Sequence, residues 1–287
     1  MAPIIIGSNI QSLNAQRRLD NTAASLQKVY QRLSSGSRIN TAADDPGGLT
    51  IADRLRADQR VASVAIRNVS DSVSLVAIAD GALEQIGGVL ARLGELAVQS
   101  ANGVYSTTQR SALNAEFSAL SSEIDRVAAT TTFNGFGLIS GGNAITLQVG
   151  FESSSTSQIA FQTLNGTLEG LGLAGAGSSI QIYSLTGPTA IDGASSSRTA
   201  LDAVNRAISS LAGLRGSLGS GESRLRTAMA NLQTTRENFA AAESRIRDTD
   251  VASDAAELTR LNILQQAGAS VLAQANQVPQ LALQLLG

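Results

Sequence analysis

The chain has 287 residues, 21 basic and 23 acidic side chains, a net charge of −2, and no His, Cys or Trp. Without His and Cys there is no disulfide, no thiolate nucleophile, no Ser-His-Asp triad and no His- or Cys-ligated zinc. The single lysine, Lys28, lies outside any Gly-rich loop, which excludes a phosphate-binding P-loop, and a pI near 5.3 offers no basic face for nucleic acid.

At roughly 150 residues per domain, this length suggests two domains. No apolar run approaches the ~20 residues of a membrane span, so no membrane insertion is expected. The opening MAPIIIGSN lacks a basic n-region, and its apolar run is too short for a cleaved secretory signal.

The first element is a helix. Leu19, Leu26 and Leu33 recur every seven residues, with Leu13 before them and Val29 between. Gly36 follows Leu-Ser-Ser and suits the left-handed position that ends a helix. Asp44 or Asp45 suits an N-cap, and Pro46 suits a first helical turn. A long second helix follows. Ile66, Val69, Val73, Val76, Ala79, Leu83, Ile86, Leu90, Leu93 and Ala97 advance in steps of three or four, which keeps one stripe on one face. From about Asp45 to Ser100 it would run roughly 80 Å at ~1.5 Å per residue.

Between Arg126 and Arg198 there is no basic side chain, and the stretch is rich in Gly, Ser and Thr. Period-two patterns appear there: Ile145, Leu147, Val149 and Phe151, then Ile159 and Phe161, separated by the turn-forming SSSTS. This predicts a β-hairpin, with Ile180 and Ile182 as candidates for a third short strand. Helical periodicity then returns. Val204, Leu211, Leu218, Leu225, Leu232, Phe239 and Ile246 hold a seven-residue repeat. Leu261, Leu264, Gly268, Val271, Ala275 and Val278 continue it in the last segment. Gly213, Gly216, Gly219 and Gly221 crowd the preceding helix at up to ~1 kcal/mol each against Ala. Either a neighbour approaches closely there or the helix breaks, and a continuous helix is the expectation.

Sustained heptads at both ends imply that the ends of the chain pack on each other. The fold class is therefore mainly α: a long antiparallel coiled-coil or helical-bundle rod, with a small β-hairpin region in the middle. The bundle packing residues are Val69, Val76, Leu83, Leu90, Leu211, Leu218, Leu225, Leu232 and Phe239. Leu13, Leu19, Leu26, Val29, Leu33, Leu261, Leu264, Val271 and Val278 form the terminal stripes.

These same stretches resemble bacterial flagellin. SNIQSLNAQRRL (8–19), LSSGSRINTAADDPGGLTIADRL (33–55), RLGELAVQSANG (92–103) and TTFNG (131–135) are similar to that family's N-terminal blocks. The run from Ser244 to Leu286 is similar to its C-terminal signature nearly throughout. The resemblance covers 4–151 and 199–287 and leaves 152–198 without a signature. DDPGG departs from the DDAAG-like form common in the family, which affects helix entry.

The resemblance implies a minimal flagellin without large outer domains. It implies a terminal coiled-coil domain (1–43 with 248–287), a helical-bundle domain (44–140 with 199–247), and an insert carrying the hairpin (141–198). It implies a secreted filament subunit for motility, exported uncleaved through the flagellar type III channel, with no cofactor and no catalysis. Its partners would be further copies of itself, an export chaperone, the filament cap and the hook–filament junction proteins. The competing readings are a hook–filament junction protein of the same superfamily and, from another class, a non-flagellar secreted coiled-coil protein. The physical expectation is that the terminal helices are unstable alone and order when identical neighbours cover their apolar stripes. Gln265, Gln266, Gln274, Asn276 and Gln277 suit a water-facing surface, in the family a channel lumen.

Several residues admit a sharp and a plain reading. Asp44-Asp45 could hold a metal, but helix capping is favoured because no third ligand is near in sequence. Arg92, Leu96 and Glu116 match positions where flagellins contact a vertebrate Toll-like receptor, although Ala91 and Gly94 depart from the usual Gln and Arg. Subunit packing is at least as good a reading of these three. Asn165-Gly166-Thr167 and Asn68-Val69-Ser70 fit the N-glycosylation triplet. O-glycosylation at Ser153, Ser154, Ser155, Thr156, Ser195 and Ser196 is the better candidate, on segments expected to face solvent. The excess of Arg over Lys suits bidentate carboxylate pairs between helices.

Overall fold

The computed structural model describes residues 9–142, 144–151, 154–162, 164–179 and 181–286, with the side chains of residues 190 and 278–286 left aside. Five helices dominate: α1 (Ile10–Ser35), α2 (Pro46–Ala101), α3 (Thr107–Thr130), α4 (Ala190–Arg247) and α5 (Val251–Leu286). Two antiparallel two-stranded sheets lie between α3 and α4. One pairs β1 (Thr132–Phe133) with β2 (Phe136–Gly137), and the other pairs β3 (Ile145–Gln148) with β4 (Gln158–Phe161). Packing divides the chain into two compact units, 1–59 with 237–287 and 60–236.

In the first unit, α1 and α5 run antiparallel. The Asn9 side chain donates to the Ala275 carbonyl at 2.8 Å, Leu19 lies against Gly268, and Arg32 faces Asp254 at 3.6 Å. A Cβ on Gly268 would sit 3.3 Å from Leu19 Cδ1, so glycine sets how closely the helices approach here. Leu26, Val29 and Leu261 form the small core of this pair, with Leu33 and Leu258 packed against it.

The break after α1 follows from local chemistry. Gly36 closes the helix at φ 67°, which is left-handed. Gly36→Ala is expected to lower stability by ~1 kcal/mol, because a Cβ is unfavourable at that φ; urea denaturation of the two proteins measures it. The following connector is held to the end of α4. The Arg38 amide donates to the Arg247 carbonyl, the Thr249 amide to the Gly36 carbonyl at 3.1 Å, and the Arg38 guanidinium to the Ile246 carbonyl at 2.7 Å. The two aspartates divide the work. Asp45 Oδ1 accepts from the Gly48 amide at 2.9 Å and caps α2. Asp44 accepts from the Thr41 amide, the Thr41 hydroxyl and the Asn40 amide, which together hold its carboxyl below the usual range. Both carboxylates are thus engaged by the backbone they order. Among the described residues no cluster of three or more acidic side chains is arranged to hold a metal.

The second unit has one continuous core. Val69, Val76, Leu83 and Leu90 of α2 join Leu211, Leu218, Leu225 and Leu232 of α4 and Phe117 and Ile124 of α3, all buried. Phe239, at the end of the α4 repeat, is half-buried in the first unit. By length and composition α2 could cross a bilayer, since an 18-residue window within it has mean hydropathy 1.4. Its Leu83, Ile86, Leu90 and Leu93 are instead fully buried in the protein's own core.

α4 runs unbroken through its glycines. The close approach expected at Gly213, Gly216 and Gly219 is absent: a Cβ at any of the three would meet nothing within 4 Å. Only Gly221 faces a neighbour, Phe161 of β4. Tertiary burial of the leucine stripe outweighs the propensity cost of these glycines.

The β3–β4 hairpin pairs Ile145 with Phe161 and Leu147 with Ile159, and Ser155–Ser157 form a single 3-10 turn between the strands. Among the described residues no third strand is formed. Ile180 lies outside the described residues, Ile182 is exposed, and only an isolated bridge joins Ala174 to Gln181. The segment around it is nevertheless a cover for the core. Leu164, Leu168, Leu171, Leu173 and Leu185 are buried, and α3 pins the segment. Asp125 accepts from the Leu168 amide, and Asn114 accepts from the Leu185 amide, each at 2.8 Å.

Candidate self-association surface

The terminal stripes split into covered and uncovered residues. Leu26, Val29 and Leu261 are buried between α1 and α5, and Leu19 and Leu33 are half-buried. Leu13 (61% exposed), Leu264 (44%) and Val271 (55%) face outward. The side chain of Val278 lies outside the described residues. Ile10 and Tyr30 of α1 and Val251 and Ile263 of α5 extend the outward apolar surface. These four are off the heptad stripe, so periodicity did not select them; their signal is bulk apolar character on helices that bury little. Gln266, Gln274, Asn276 and Gln277 are exposed, and Gln265 is half-exposed.

A shallow groove of about 730 Å³ runs beside the pair, lined by Leu26, Gln27, Tyr30, Gln31, Asn40 and Gln265 among others. Its wall mixes apolar and amide side chains and carries no catalytic constellation. Ion pairs also join the chain ends in the first unit: Arg56 with Glu243 at 2.7 Å and Arg32 with Asp254.

In the second unit, Arg92 donates to Glu116 of α3 and to Glu95, both at 2.8 Å. Those two carboxylates hold the Arg92 guanidinium above its ordinary range, Glu95 contributing most. Arg92 and Glu116 are exposed and bind α2 to α3. Leu96, however, is fully buried in the core and offers no surface to any receptor. Helical position places it on the inner stripe with Leu93 and Ala97, three residues from one and one from the other.

Arg215 of α4 clasps Asp80 of α2 with two nitrogens, at 2.8 and 3.1 Å. The Arg215 guanidinium holds the Asp80 carboxyl below its usual range. A depressed folded-state value adds stability above the unfolded-state pKa, and that stability disappears as pH falls through the folded value. Asp80→Asn is therefore expected to cost at most ~0.5 kcal/mol at neutral pH, since both partners are largely solvated, and nothing well below pH ~3.9. Urea unfolding of the two proteins at neutral pH and in strong acid checks both limits.

Among the glycosylation candidates, Ser155 and Thr156 are exposed and Ser154 is half-buried, while Ser153 lies outside the described residues. Ser195 and Ser196 are not in a loop. They lie in the opening turns of α4, Ser195 exposed and Ser196 half-buried, beside the fully buried Ser197. The Asn165 carboxamide is engaged by the Thr167 hydroxyl, which ties up that N-glycosylation triplet.

The most consequential residue that sequence reading passed over is Arg110. It is 1% exposed, yet no carboxylate among the described residues forms an ion pair with it. Its guanidinium donates to the carbonyls of Ser100 (2.7 Å), Asn102 (2.8 Å) and Tyr105 (3.4 Å), which closes the free C-terminal end of α2. The helix that delivers it, α3, has a legible start, a capping box between Ser106 and Gln109. Nothing in sequence spacing announces that an arginine there turns inward.

Paired chain ends, a heptad-built bundle and an outward apolar stripe on both terminal helices define a helical structural protein. The comparisons specify which. Residues 6–144 match the bacterial flagellin N-terminal helical region, and residues 201–286 match the bacterial flagellin C-terminal helical region. The chain belongs to the bacterial flagellin family, the structural subunits of the flagellar filament. It is 38% identical to a flagellin of Halalkalibacterium halodurans over 99% of this chain and 100% of that one. It is 36% identical to a flagellin of Bacillus subtilis over 98% of this chain and 99% of that one. A solved structure described as a flagellar hook-associated protein of Vibrio parahaemolyticus shares the fold, with a TM-score of 0.59 over 71% of this chain and 100% of that one, at 12% identity.

Proposed function

We propose that the filament forms when the outward stripes of α1 and α5 are covered by the same helices of neighbouring copies. The observation that carries this reading is the exposure of Leu13, Leu264 and Val271 on helices whose opposite faces are already paired. Three buried side chains, worth at most about 1.5–3 kcal/mol each, are a small return for ordering helices of 26 and 36 residues. Helices of this kind gain most of their stability from tertiary packing, so assembly supplies the missing burial and orders the chain ends. Contacts between different patches of identical chains do not close on themselves and propagate as a fibre.

In this reading 1–43 with 248–287 form the filament-core domain, 44–140 with 199–247 the helical-bundle domain, and 141–198 its insert. The amide-rich face of α5 lines a water-filled channel. The chain leaves the cell unfolded and uncleaved through the flagellar type III channel, with an export chaperone, the filament cap and the hook–filament junction as its partners. Full-length identity to flagellins favours the filament over the junction, for which only the fold speaks. Electron microscopy of concentrated purified protein tests it. Long polymers are expected; short rods that stop growing would indicate a junction protein, and dispersed particles would reject self-assembly.

A further inference from the structure

We propose that Asn134 is a site of spontaneous deamidation, and that the fold selects it from three Asn-Gly pairs. The three are Asn102-Gly103, Asn134-Gly135 and Asn165-Gly166. In each, the following backbone nitrogen can attack the side-chain amide carbon, because glycine places no side chain in the way. The Gly nitrogen forms a bond to Asn Cγ, the Cγ–Nδ2 bond breaks, and ammonia departs with the amide proton. Water then opens the five-membered succinimide at either carbonyl to give aspartate or isoaspartate. Net, one water enters and one ammonia leaves, so the reaction needs no oxidant and no enzyme.

The structure protects two of the three. At Asn165 the attacking nitrogen is occupied, because the Gly166 amide donates to the Ile139 carbonyl at 2.8 Å and Gly166 is buried. The Asn165 carboxamide is also held by the Thr167 hydroxyl at 2.6 Å. At Asn102 the side-chain oxygen accepts from the Val104 amide at 3.3 Å, which turns the carboxamide past Gly103. The buried Arg110 grips the Asn102 carbonyl at 2.8 Å and fixes the peptide that would have to rotate.

Asn134 has neither restraint. It and Gly135 are exposed at the tip of the β1–β2 hairpin, at φ 49° and 83°. That hairpin has only two residue pairs, Thr132 with Gly137 and Phe133 with Phe136, so rotating the Asn134–Gly135 peptide requires only local opening. The product would be felt nearby. Asn134 lines a cavity of about 280 Å³ with Asp71, Phe133 and Phe136, so aspartate there would place a second carboxylate in one small cavity. Isoaspartate would lengthen the main chain inside a two-residue turn, next to the fully buried Leu138 and Ile139.

The test is incubation of the folded full-length protein at mildly alkaline pH, sampled over weeks. Peptide mass spectrometry and isoaspartyl methylation quantify each Asn-Gly site, with a urea-denatured sample in parallel. The denatured chain should lose all three amides at similar rates. The folded protein should lose Asn134 about tenfold faster than Asn102 or Asn165. Equal rates in the folded protein, a faster loss at Asn102 or Asn165, or an intact Asn134 while the denatured sample reacts would each overturn the proposal.

Discussion

Removing residues 265–287 is expected to abolish filament formation while leaving the 60–236 unit folded. The deleted segment carries the exposed Val271 and the amide-rich end of α5, Gln266, Gln274, Asn276 and Gln277. It contains none of the side chains that fill the second unit's core, which lie between Ala65 and Leu232. Losing it therefore removes burial available only on assembly and costs the monomer the thin α1–α5 contacts of Leu19 with Gly268, Asn9 with Ala275 and Ser12 with Asn276. Far-ultraviolet circular dichroism should show a cooperative transition close to that of the full chain. Electron microscopy and sedimentation should show no polymer at any concentration. Filaments from the truncated chain would mean that the polymer is held by the bundle instead of by the terminal helices.

The second large effect belongs to Arg110. Arg110→Ala should destabilise the protein by roughly 3–5 kcal/mol, because it strands the carbonyls of Ser100, Asn102 and Tyr105 and empties a fully packed site. Ser100 also shares a buried hydroxyl network with Ser197, which bonds to it at 2.8 Å and to the Gly193 carbonyl at 2.7 Å. Loosening the α2 end thus reaches the first turns of α4. Arg110→Lys should recover part of the loss, since an ammonium keeps the charge but cannot fan donors across three carbonyls. Urea denaturation midpoints rank the three proteins; an Arg110→Ala cost below ~1 kcal/mol would remove the residue from this role.

Sequence reading reached the helices because their apolar residues keep a strict period. It placed the start of α2 at Pro46 and the end of α1 at Gly36 because capping residues act within a turn of themselves. The β3–β4 hairpin was legible from alternation at Ile145, Leu147, Ile159 and Phe161. The β1–β2 hairpin was passed over, although Asn134-Gly135 is a strong two-residue turn signal, because strands of two residues have no period to detect. The buried leucines of the segment after β4, from Leu164 to Leu185, were passed over for a related reason. A loop that covers a core has neither repeat.

The candidate site was legible only in part. Leu96 matched a family contact position by its place in a motif, but its burial follows from the helical phase it shares with Leu93 and Ala97. Ser195 and Ser196 were expected on a solvent-facing segment, yet α4 begins before them: the Thr189 hydroxyl accepts from the Asp192 amide at 3.2 Å and caps the helix, and Gly193 sits against the distant Arg110 of α3.

The sequence by itself determined that the chain is a set of long amphipathic helices, that its two ends match each other, and that it has no His or Cys for triad, thiolate or zinc chemistry. A heptad specifies that a face must be covered; it does not specify by what. Tertiary structure alone decided that Leu26 and Leu261 are covered within the chain while Leu13, Leu264 and Val271 are not. It also decided that a lone buried arginine closes α2. These outcomes depend on which distant residues meet across the fold, and the free energy of those meetings is absent from any local pattern.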